Sequence, residues 1–442
     1  MRKRTSRILA GIGGLAILLG VSACTSGNGG SSDGATTGTI TVWDLQNDPK
    51  WVSTFDDASA AFEKEHPGVK IKRVQQPADT VQVRTLLQAA AQAKKGPDVV
   101  MTLPWGDILA IKDALAPIQS YISADTRKSL SGWEGTEFDG NTYGVPIGLQ
   151  GVGIAFNKQI FTAAGLDPDN PPQTLDELIS ACGAIKKAGY IPLAGGNKEG
   201  YLTGWIYSAL WPGVADESAV KKSLNYTQPL NAKPVTTAVE AGMKLLQDGC
   251  FSSEMPSTPF YPDGFQPFTD GKAGMTFAIY SQVQPFGATK DAQTPGIGAD
   301  NVGYLPTLKV DRSPTFVPAG PQNVWAVTSF SPMKKLSAEF AQELESAKYQ
   351  QQRFDDLGLF PNNSGVSWDK YEKANPGAAS IVAALKKLPT SLMAHSMQDS
   401  KTNDIFQTQI ELAMLGKTTV KEALDAAEKS RVDQRETLFP TK

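Results

Sequence analysis

The sequence predicts an α/β protein with more than one domain, and three observations support this. The chain has 442 residues, enough for two or three domains of roughly 100–200 residues each. Its composition, 40% hydrophobic and 20% charged, is that of a folded globular protein. From residue 38 onward, segments typical of strands alternate with segments typical of helices, and this alternation favours α/β architecture.

The first elements of this alternation follow from residue spacing. Residues 40–43 (Ile-Thr-Val-Trp) are typical of a strand, and residues 69–72 alternate apolar and basic side chains as a second strand. Between them, apolar residues at helical spacing predict a helix that ends at the His-Pro-Gly sequence 66–68. Its apolar positions are Trp51, Phe55, Ala58 and Phe62.

Later elements are predicted in the same way. A helix with Val83, Leu86, Leu87 and Ala90 precedes a short buried strand at 99–101. Thr174 and Glu177 form a capping box that begins another helix. Two more helices are expected near the C-terminus, one marked by Leu336, Phe340, Leu344 and Ala347, and a final one marked by Val420, Leu424 and Ala427.

Charge and motif content exclude several classes of function. The 42 Lys and Arg residues balance 45 Asp and Glu residues, so no basic surface for nucleic acid is expected. Two histidines and three cysteines leave little for metal binding or for Ser-His or Cys-His catalysis. The sequence at 30–34 matches G-x-S-x-G, the motif of a serine nucleophile elbow, but no strand precedes it, so it cannot form that elbow. No P-loop or zinc motif occurs. We expect no catalytic residue, cofactor or metal, and no enzyme activity.

The N-terminus is typical of a targeting segment. Four basic residues within the first seven precede an apolar stretch at 8–19, which is too short to span a membrane. The sequence Val21-Ser22-Ala23-Cys24 resembles a bacterial lipoprotein box. We therefore expect a signal peptide at 1–23, lipidation of Cys24 and a flexible tether at 24–38, which anchor the protein to the outer face of the bacterial cell membrane. An ordinary signal peptide with an incidental cysteine is the alternative.

Cys182 and Cys250 are the two remaining thiols, and outside the cytosol both meet oxidising conditions. We expect them to form a disulfide. The alternative is two separately buried thiols. The distance between the two Cα atoms distinguishes a disulfide from free thiols.

Aromatic residues recur beside polar residues where predicted strands lead into helices. The segments concerned are 43–47, 104–107 and 197–201, the last followed by Trp205 and Trp211. In open α/β sheets, ligands bind at the carboxyl ends of strands, where such loops meet. Sugar rings stack their C–H faces on aromatic rings and need planar hydrogen-bonding groups around them. These loops suit a sugar, although any one aromatic residue has core packing as its alternative role.

An ordered set of short stretches gives a more specific indication. They are 40–43, 62–69 (FEKEHPGV), 96–100 (GPDVV), 143–146 (YGVP), 156–158 (FNK), 164–166 (AGL), 171–172 (PP), 271–276 (GKAGMT), 305–307 (LPT) and 419–424 (TVKEAL). In this order, and behind a lipoprotein box, the chain resembles the extracellular solute-binding proteins of carbohydrate ABC importers, the family of maltose-binding protein.

The resemblance implies a periplasmic-binding-protein-like α/β fold with two lobes, three hinge crossings and a ligand cleft between the lobes. The crossings are expected near 149–151, 317–320 and 359–361. Lobe one would hold 38–149 and 319–358, and lobe two 150–318 and 359–442. A monomer would capture a mono- or short oligosaccharide by cleft closure and deliver it to the permease subunits of an ABC importer. A surface-anchored carbohydrate-active enzyme, or a binder of a non-sugar solute such as a glycerol phosphate, is the alternative.

The resemblance also implies which residues contact the ligand, with loop stability as the alternative role of each. They are Asp44, Gln46, Asp79, Trp105, Asp107, Gln150, Glu199, Tyr201, Trp205, Tyr280, Ser281, Gln322 and Asn403. Gln150 stands where maltose-binding protein has a carboxylate, and Tyr280 and Asn403 stand where the family often has stacking tryptophans. The loss of these tryptophans favours a sugar shorter than a long maltodextrin.

Overall fold

Two separate mixed sheets form the framework of the protein in a computed structural model, which describes residues 35–77, 80–289, 292 and 295–439. The predicted signal peptide, Cys24, most of the tether and Asp79 lie outside the described residues. The strands are β1 (Gly38–Asp44), β2 (Val69–Gln75), β3 (Val99–Thr102), β4 (Glu137–Phe138), β5 (Asn141–Thr142), β6 (Gly144–Ile147), β7 (Gln150–Asn157), β8 (Ile191–Ala194), β9 (Ala273–Ile279), β10 (Val302–Leu305), β11 (Val317–Gly320), β12 (Asn323–Val327) and β13 (Thr390–Ser391).

Helices of very different length surround the sheets, and no helix of the described ranges is both long and apolar enough to cross a lipid bilayer. They are α1 (Pro49–Glu65), α2 (Thr80–Ala93), α3 (Gly106–Ile111), α4 (Ala124–Ser129), α5 (Lys158–Ala163), α6 (Leu175–Lys187), α7 (Tyr201–Leu210), α8 (Glu217–Leu224), α9 (Lys233–Gln247), α10 (Gln266–Thr269), α11 (Val283–Phe286), α12 (Lys334–Leu344), α13 (Ala347–Leu357), α14 (Asp369–Ala374), α15 (Ala379–Lys387), α16 (Ser400–Met414) and α17 (Val420–Leu438).

The first sheet has the order β2-β1-β3-β12-β6. β1 is parallel to β2 and β3, whereas β12 is antiparallel to both β3 and β6. The second sheet has the order β13-β11-β7-β9-β8, with β10 added beside β7. A small hairpin pairs β4 with β5. The strands of each sheet that come early in the chain are therefore completed by strands from much later in the chain.

Local sequence explains the first βαβ unit, as predicted. Asp48 caps the N-terminus of α1 by accepting a hydrogen bond from the Lys50 N–H at 2.8 Å, and Pro49 occupies the first helical position. The predicted apolar residues of α1 are buried, and the helix ends at His66. The spacing prediction for this helix is confirmed.

The late helix predicted over 336–347 is instead two helices, α12 and α13. Ala347 is the first residue of α13, because the chain turns at Glu345 and Ser346. The Glu345 carboxylate points inward, where Arg353 donates two hydrogen bonds to it at 2.7 and 3.0 Å. The helical spacing is present in the sequence, but the helix ends at Glu345, which forms a buried ion pair with Arg353.

The capping box at the start of α6 is confirmed, since Thr174 and Glu177 exchange both of its hydrogen bonds. α6 then places Cys182 beside Cys250, which follows α9. The structure joins these two cysteines in a disulfide, with their Cα atoms 5.2 Å apart. The bridge ties α6 to the end of α9 behind the second sheet.

The chain passes between the two sheets at three places that lie next to one another. The first is at 148–149, between β6 and β7, and the second is at 321–322, between β11 and β12. The third lies between β12 and β13. The Leu149 N–H donates to the Phe360 carbonyl at 2.7 Å, and the Gln322 N–H donates to the Ile147 carbonyl at 2.9 Å. Backbone hydrogen bonds therefore join the three connections side by side.

A third apolar core packs helices against one face of the first sheet, which contributes Val100, Val324 and Ala326 to it. It combines α2 and α3, which adjoin the first sheet, with α7, α9, α16 and α17. Leu87, Leu109, Val239, Phe406 and Leu424 are all buried there. This core holds α16 beside α3, and so it decides which side chains meet near the end of β3.

Candidate functional site

A cavity of about 350 Å³ lies where the loop after β3, the start of β7, α7 and α16 come together. Larger surface grooves exist elsewhere, including one of about 660 Å³ beside α4 and α12. The smaller cavity is the candidate site because it lies at the carboxyl end of a strand and beside the connections between the sheets.

One wall of the cavity is aromatic. Tyr201 and Trp205 lie one turn apart on α7 and both line the cavity. Phe260 holds them in place, because its ring meets the Trp205 ring edge-on at 4.9 Å and lies 6.0 Å from the Tyr201 ring. Tyr201 is still 55% exposed. An aromatic face that is fixed and open in this way suits stacking by the flat face of a ligand ring.

The opposite wall is polar and comes from α16. Ser400, Asn403, Asp404 and Gln407 line the cavity and are spaced i, i+3, i+4 and i+7, so they occupy one face of the helix. Asp399 caps this helix by accepting the Thr402 N–H at 3.0 Å. The wall offers a hydroxyl, two amides and a carboxylate to a ligand.

Beside these walls, a buried ion pair joins α2 to the first turn of α3. Arg84 of α2 donates to Asp107 Oδ1, and Arg84 also donates to Ser400 Oγ at 2.8 Å. Asp107 is 3% exposed, and its Oδ2 atom has no hydrogen-bond partner in the described part of the chain. Burial raises the pKa of this carboxyl, and the charge of Arg84 opposes that effect. The pair fixes Asp107 and neutralises the charge of Arg84.

A second polar contact forms at the start of β7. Gln150 lines the cavity and donates from Nε2 to Ser281 Oγ at 3.0 Å. The Ser281 N–H donates back to Gln150 Oε1 at 3.4 Å. The amide is therefore held at the start of β7, a central strand of the second sheet, close to the connection at 148–149.

The structure brings part of the predicted ligand set together and leaves the rest away from the cavity. The residues that line it are Asp107, Gln150, Tyr201, Trp205, Gln322 and Asn403. Those that do not line it are Asp44, Gln46, Trp105, Glu199, Tyr280 and Ser281. Asp79 lies outside the described residues.

Asp44 and Gln46 instead organise the end of β1. The Asp44 carboxylate is fully buried and accepts hydrogen bonds from Trp51 Nε1 at 3.0 Å and from Arg73 Nε at 2.6 Å. It also accepts the Gln46 N–H at 2.9 Å, and Arg73 donates to the Gln46 carbonyl oxygen. With these bonds made, Asp44 holds the turn after the strand together.

Trp105 and Tyr280 are buried instead of facing the cavity. The Trp105 ring is 2% exposed and stacks on Tyr226 at 5.4 Å, with Phe138 on another side. Its backbone has φ +53°, a conformation that costs a bulky residue about 1–3 kcal/mol and is held here by this packing. Tyr280 is fully buried among aromatic residues such as Phe360.

Glu199 and Ser281 stabilise loops next to the cavity. The exposed Glu199 accepts the Phe260 N–H at 2.8 Å, which joins the loop before α7 to the loop that carries Phe260. Ser281 acts through Gln150, as described above. Both side chains support residues that do line the cavity.

Sequence reasoning missed most of the C-terminal contribution. Residues 393–407 supply eight of the eighteen described residues that line the cavity. Gly106 lets this segment lie directly on the loop after β3, since a Cβ there would be 2.4 Å from the Gln398 carbonyl oxygen. The available signal was the polar i, i+3, i+4, i+7 pattern that begins at Ser400. Arg84 was missed as well, because α2 showed only its apolar spacing.

His395 also lines the cavity, and it has a partner that the sequence did not reveal. Its Nδ1 atom lies 2.8 Å from Ser208 Oγ on α7. Burial lowers the pKa of this imidazole to about 4, so the ring is neutral at physiological pH. Among the residues that the structure describes, no group of three or more His, Cys, Asp or Glu side chains could hold a metal ion.

Two curated relatives match most of the chain. The sn-glycerol-3-phosphate-binding periplasmic protein UgpB of Brucella melitensis is 26% identical over 365 residues, covering 77% of this chain and 80% of the relative. The diacetylchitobiose binding protein DasA of Streptomyces coelicolor is 25% identical over 431 residues, covering 93% of this chain and 95% of the relative.

Solved structures show the same fold. A chitin oligosaccharide binding protein aligns with a TM-score of 0.75 at 18% identity, covering 90% of this chain and 99% of the other. The cyclic alpha-maltosyl-1,6-maltose binding protein from Arthrobacter globiformis aligns with a TM-score of 0.70 at 21% identity, covering 89% and 98%. The architecture is thus the two-lobed α/β fold expected from the sequence. Residues 48–351 match the family described as bacterial extracellular solute-binding protein, and the chain belongs to that family.

Proposed function

We propose that the protein captures a carbohydrate in the cavity between α7 and α16 and delivers it, unchanged, to an ABC importer. The observation that supports this best is the pairing of an open aromatic wall, Tyr201 and Trp205, with the polar face of α16. A sugar ring has an apolar face and a rim of hydroxyls, and the two walls offer a partner to each.

The charges in the cavity favour a neutral sugar over a phosphate ester. Of the described residues that line it, Arg84 is the one permanent cation, and it already binds Asp107 and Ser400. Asp404 adds a negative charge, and His395 is neutral. The lining therefore sums to one negative charge, whereas a phosphate site needs free Arg or Lys donors. Glycerol phosphate stays the alternative to be tested, because the UgpB relative is named as an sn-glycerol-3-phosphate-binding protein.

Cleft closure is the proposed mode of capture, with lobe one at 38–149 and 319–358 and lobe two at 150–318 and 359–442. The hydrogen bonds among the three adjacent connections support a common hinge there. A ligand that touches residues of both lobes, such as Asp107 and Trp205, binds the closed state more tightly and so increases its population.

The proposal includes the setting of the protein. The family is extracytoplasmic, and the lipoprotein box supports a lipid anchor at Cys24. The protein would act as a monomer on the outer face of the cell membrane, next to its permease subunits. It would bind the solute without chemical turnover. A surface-anchored carbohydrate-active enzyme, the alternative, would turn the solute over.

A thermal-shift screen of residues 25–442 tests the ligand class. Mono-, di- and oligosaccharides are compared with glycerol 3-phosphate, and the sugar is recovered afterwards. A ligand at 100 times its Kd adds about 2.7 kcal/mol to the free energy of unfolding. We expect stabilisation by one group of sugars, recovered intact. Stabilisation by glycerol 3-phosphate alone would refute the carbohydrate assignment, and a cleaved sugar would refute the binding role.

A pair of variants then places the ligand in the cavity. Tyr201→Ala removes an exposed ring, so the fold should persist while the sugar binds about tenfold more weakly, the equivalent of one stacking contact. Leu415→Ala truncates a residue of similar exposure at the far end of α16 and should leave affinity unchanged. Equal affinities of the two variants would show that the ligand binds elsewhere.

A further inference from the structure

His395 and Ser208 form a pair in the wall of the cavity that the proposed function does not use. His395 lies in the segment after β13, and Ser208 lies on α7. The imidazole ring lies close to α7 because residue 204 is glycine. A Cβ at Gly204 would be 3.2 Å from His395 Cγ, so the ring fills the space that a side chain would occupy.

Ser208 holds this ring through two contacts with the same residue. Its Oγ atom lies 2.8 Å from His395 Nδ1, and it accepts the main-chain N–H of His395 at 3.2 Å. Ser208 itself is fully buried. Both the backbone and the Nδ1 edge of His395 are therefore fixed to one turn of α7.

The same two contacts favour one placement of the protons. A main-chain N–H can only donate, so Ser208 Oγ is the acceptor in that bond. Its own hydroxyl proton is then best satisfied by donation to Nδ1, the other described partner of this oxygen. Nδ1 must be unprotonated to accept it, and a neutral imidazole then carries its proton on Nε2.

We infer that His395 is a fixed hydrogen-bond donor to the solute, presenting Nε2–H to an oxygen atom of the ligand, and that Ser208 is the positioning residue that sets this tautomer. The inference rests on the proposed function, since it places the solute in the same cavity. Amide side chains such as Gln398 and Asn403 can present either a donor or an acceptor. In this tautomer Nε2 of His395 can only donate, so it selects a solute with an acceptor oxygen at that point.

The alternative partner of the ring is the backbone of Gly204, whose hydrogen bond with His395 opposes the effect of burial on the pKa. If the ring proton is the one bonded to that backbone group, whether it sits on Nδ1 or on Nε2, it is unavailable to a ligand. The two arrangements differ in an observable way, because only a proton that faces the cavity responds to ligand.

Nitrogen NMR of the histidine rings tests the inference in the intact protein. The chain has two histidines, and His66, stacked on Phe62 at the end of α1, is an internal reference. We expect His395 to show the Nε2–H tautomer without ligand, and its Nε2–H resonance to shift when the sugar identified by thermal shift is added. An Nδ1–H tautomer, or an Nε2–H resonance whose chemical shift does not change when sugar binds, would overturn the inference.

Substitutions separate positioning from structural roles. Ser208→Ala should mix the two tautomers and weaken sugar binding up to about tenfold, the equivalent of one hydrogen bond. Ser337→Ala removes another fully buried serine hydroxyl, on α12, and should change neither readout. Unchanged tautomer and affinity in Ser208→Ala would refute the positioning role. The tautomer is measured in the ligand-free protein, so it does not depend on sugar binding. If the protein bound no sugar, the proposed function would be refuted whatever the tautomer.

Discussion

Removal of Arg353 should destabilise the protein strongly and in a pH-dependent way. Arg353 and Glu345 are 4% and 1% exposed and form an ion pair with two hydrogen bonds, at 2.7 and 3.0 Å. Trp325 Nε1 and Gln350 Nε2 also donate to this carboxylate, at 2.9 and 3.1 Å. Arg353→Met leaves a buried carboxylate without a counter-charge, which costs about 3–5 kcal/mol.

The pH dependence follows from the protonation of Glu345. Burial already raises its pKa despite the neighbouring Arg353, and the loss of that cation raises it further. When the pKa of a carboxyl is higher in the folded state than in the unfolded state, the free energy of unfolding falls as pH rises from the unfolded pKa to the folded pKa. The destabilisation by Arg353→Met should therefore be larger at pH 7.5 than at pH 5, because lower pH favours the protonated, uncharged form of Glu345.

Urea unfolding followed by circular dichroism measures both effects, since a total stability of about 5–15 kcal/mol leaves such a loss readily visible. The control is Lys421→Met, which breaks an exposed ion pair with Asp425 and should give no measurable change. The double variant Arg353→Met/Glu345→Leu should recover part of the stability. A loss below about 1 kcal/mol, or an equal loss at both pH values, would refute the reasoning.

Three further outcomes are expected. The disulfide between Cys182 and Cys250 spans 68 positions, and replacing both cysteines by serine should lower the free energy of unfolding by about 4 kcal/mol in denaturant titrations; a loss near zero would contradict this. Because the pKa of His395 is lowered to about 4, stability should fall by up to about 3 kcal/mol as pH drops from 6.5 to 4, and His395→Gln should remove this part of the pH profile. Arg84→Met, which leaves Asp107 buried without its cation, should weaken sugar binding in calorimetry more at pH 7.5 than at pH 5; pH-independent binding would count against the ion pair as part of the site.

The fold was predictable where local spacing and global packing agree. In α1, the apolar positions recur at helical spacing, a capping aspartate precedes them and a Pro-Gly pair follows them, so all signals indicate the same element. The division at Glu345 was not predictable, because the apolar spacing continues across it and the residue at the turn is in a buried ion pair with Arg353. A buried ion pair depends on three-dimensional proximity, which residue spacing does not encode.

The candidate site was predictable in part for a similar reason. Tyr201 and Trp205 stand out because they follow a polar loop at the start of a helix, where an aromatic ring can face a ligand, and both line the cavity. Trp105 fits the same pattern, but its ring stacks on Tyr226 from a distant part of the chain. Ser400 and Gln407 show no distinctive residue type, and their role depends on how α16 packs against α3 and α7.

The late position of residues 393–407 in the chain has a consequence for how binding arises during synthesis and export. Every strand of both sheets, including the short β13, precedes this segment in the chain. A chain truncated before residue 393 would keep most of its framework but lack almost half of the cavity lining. The lining of the cavity is therefore complete only once synthesis has reached the C-terminal helices.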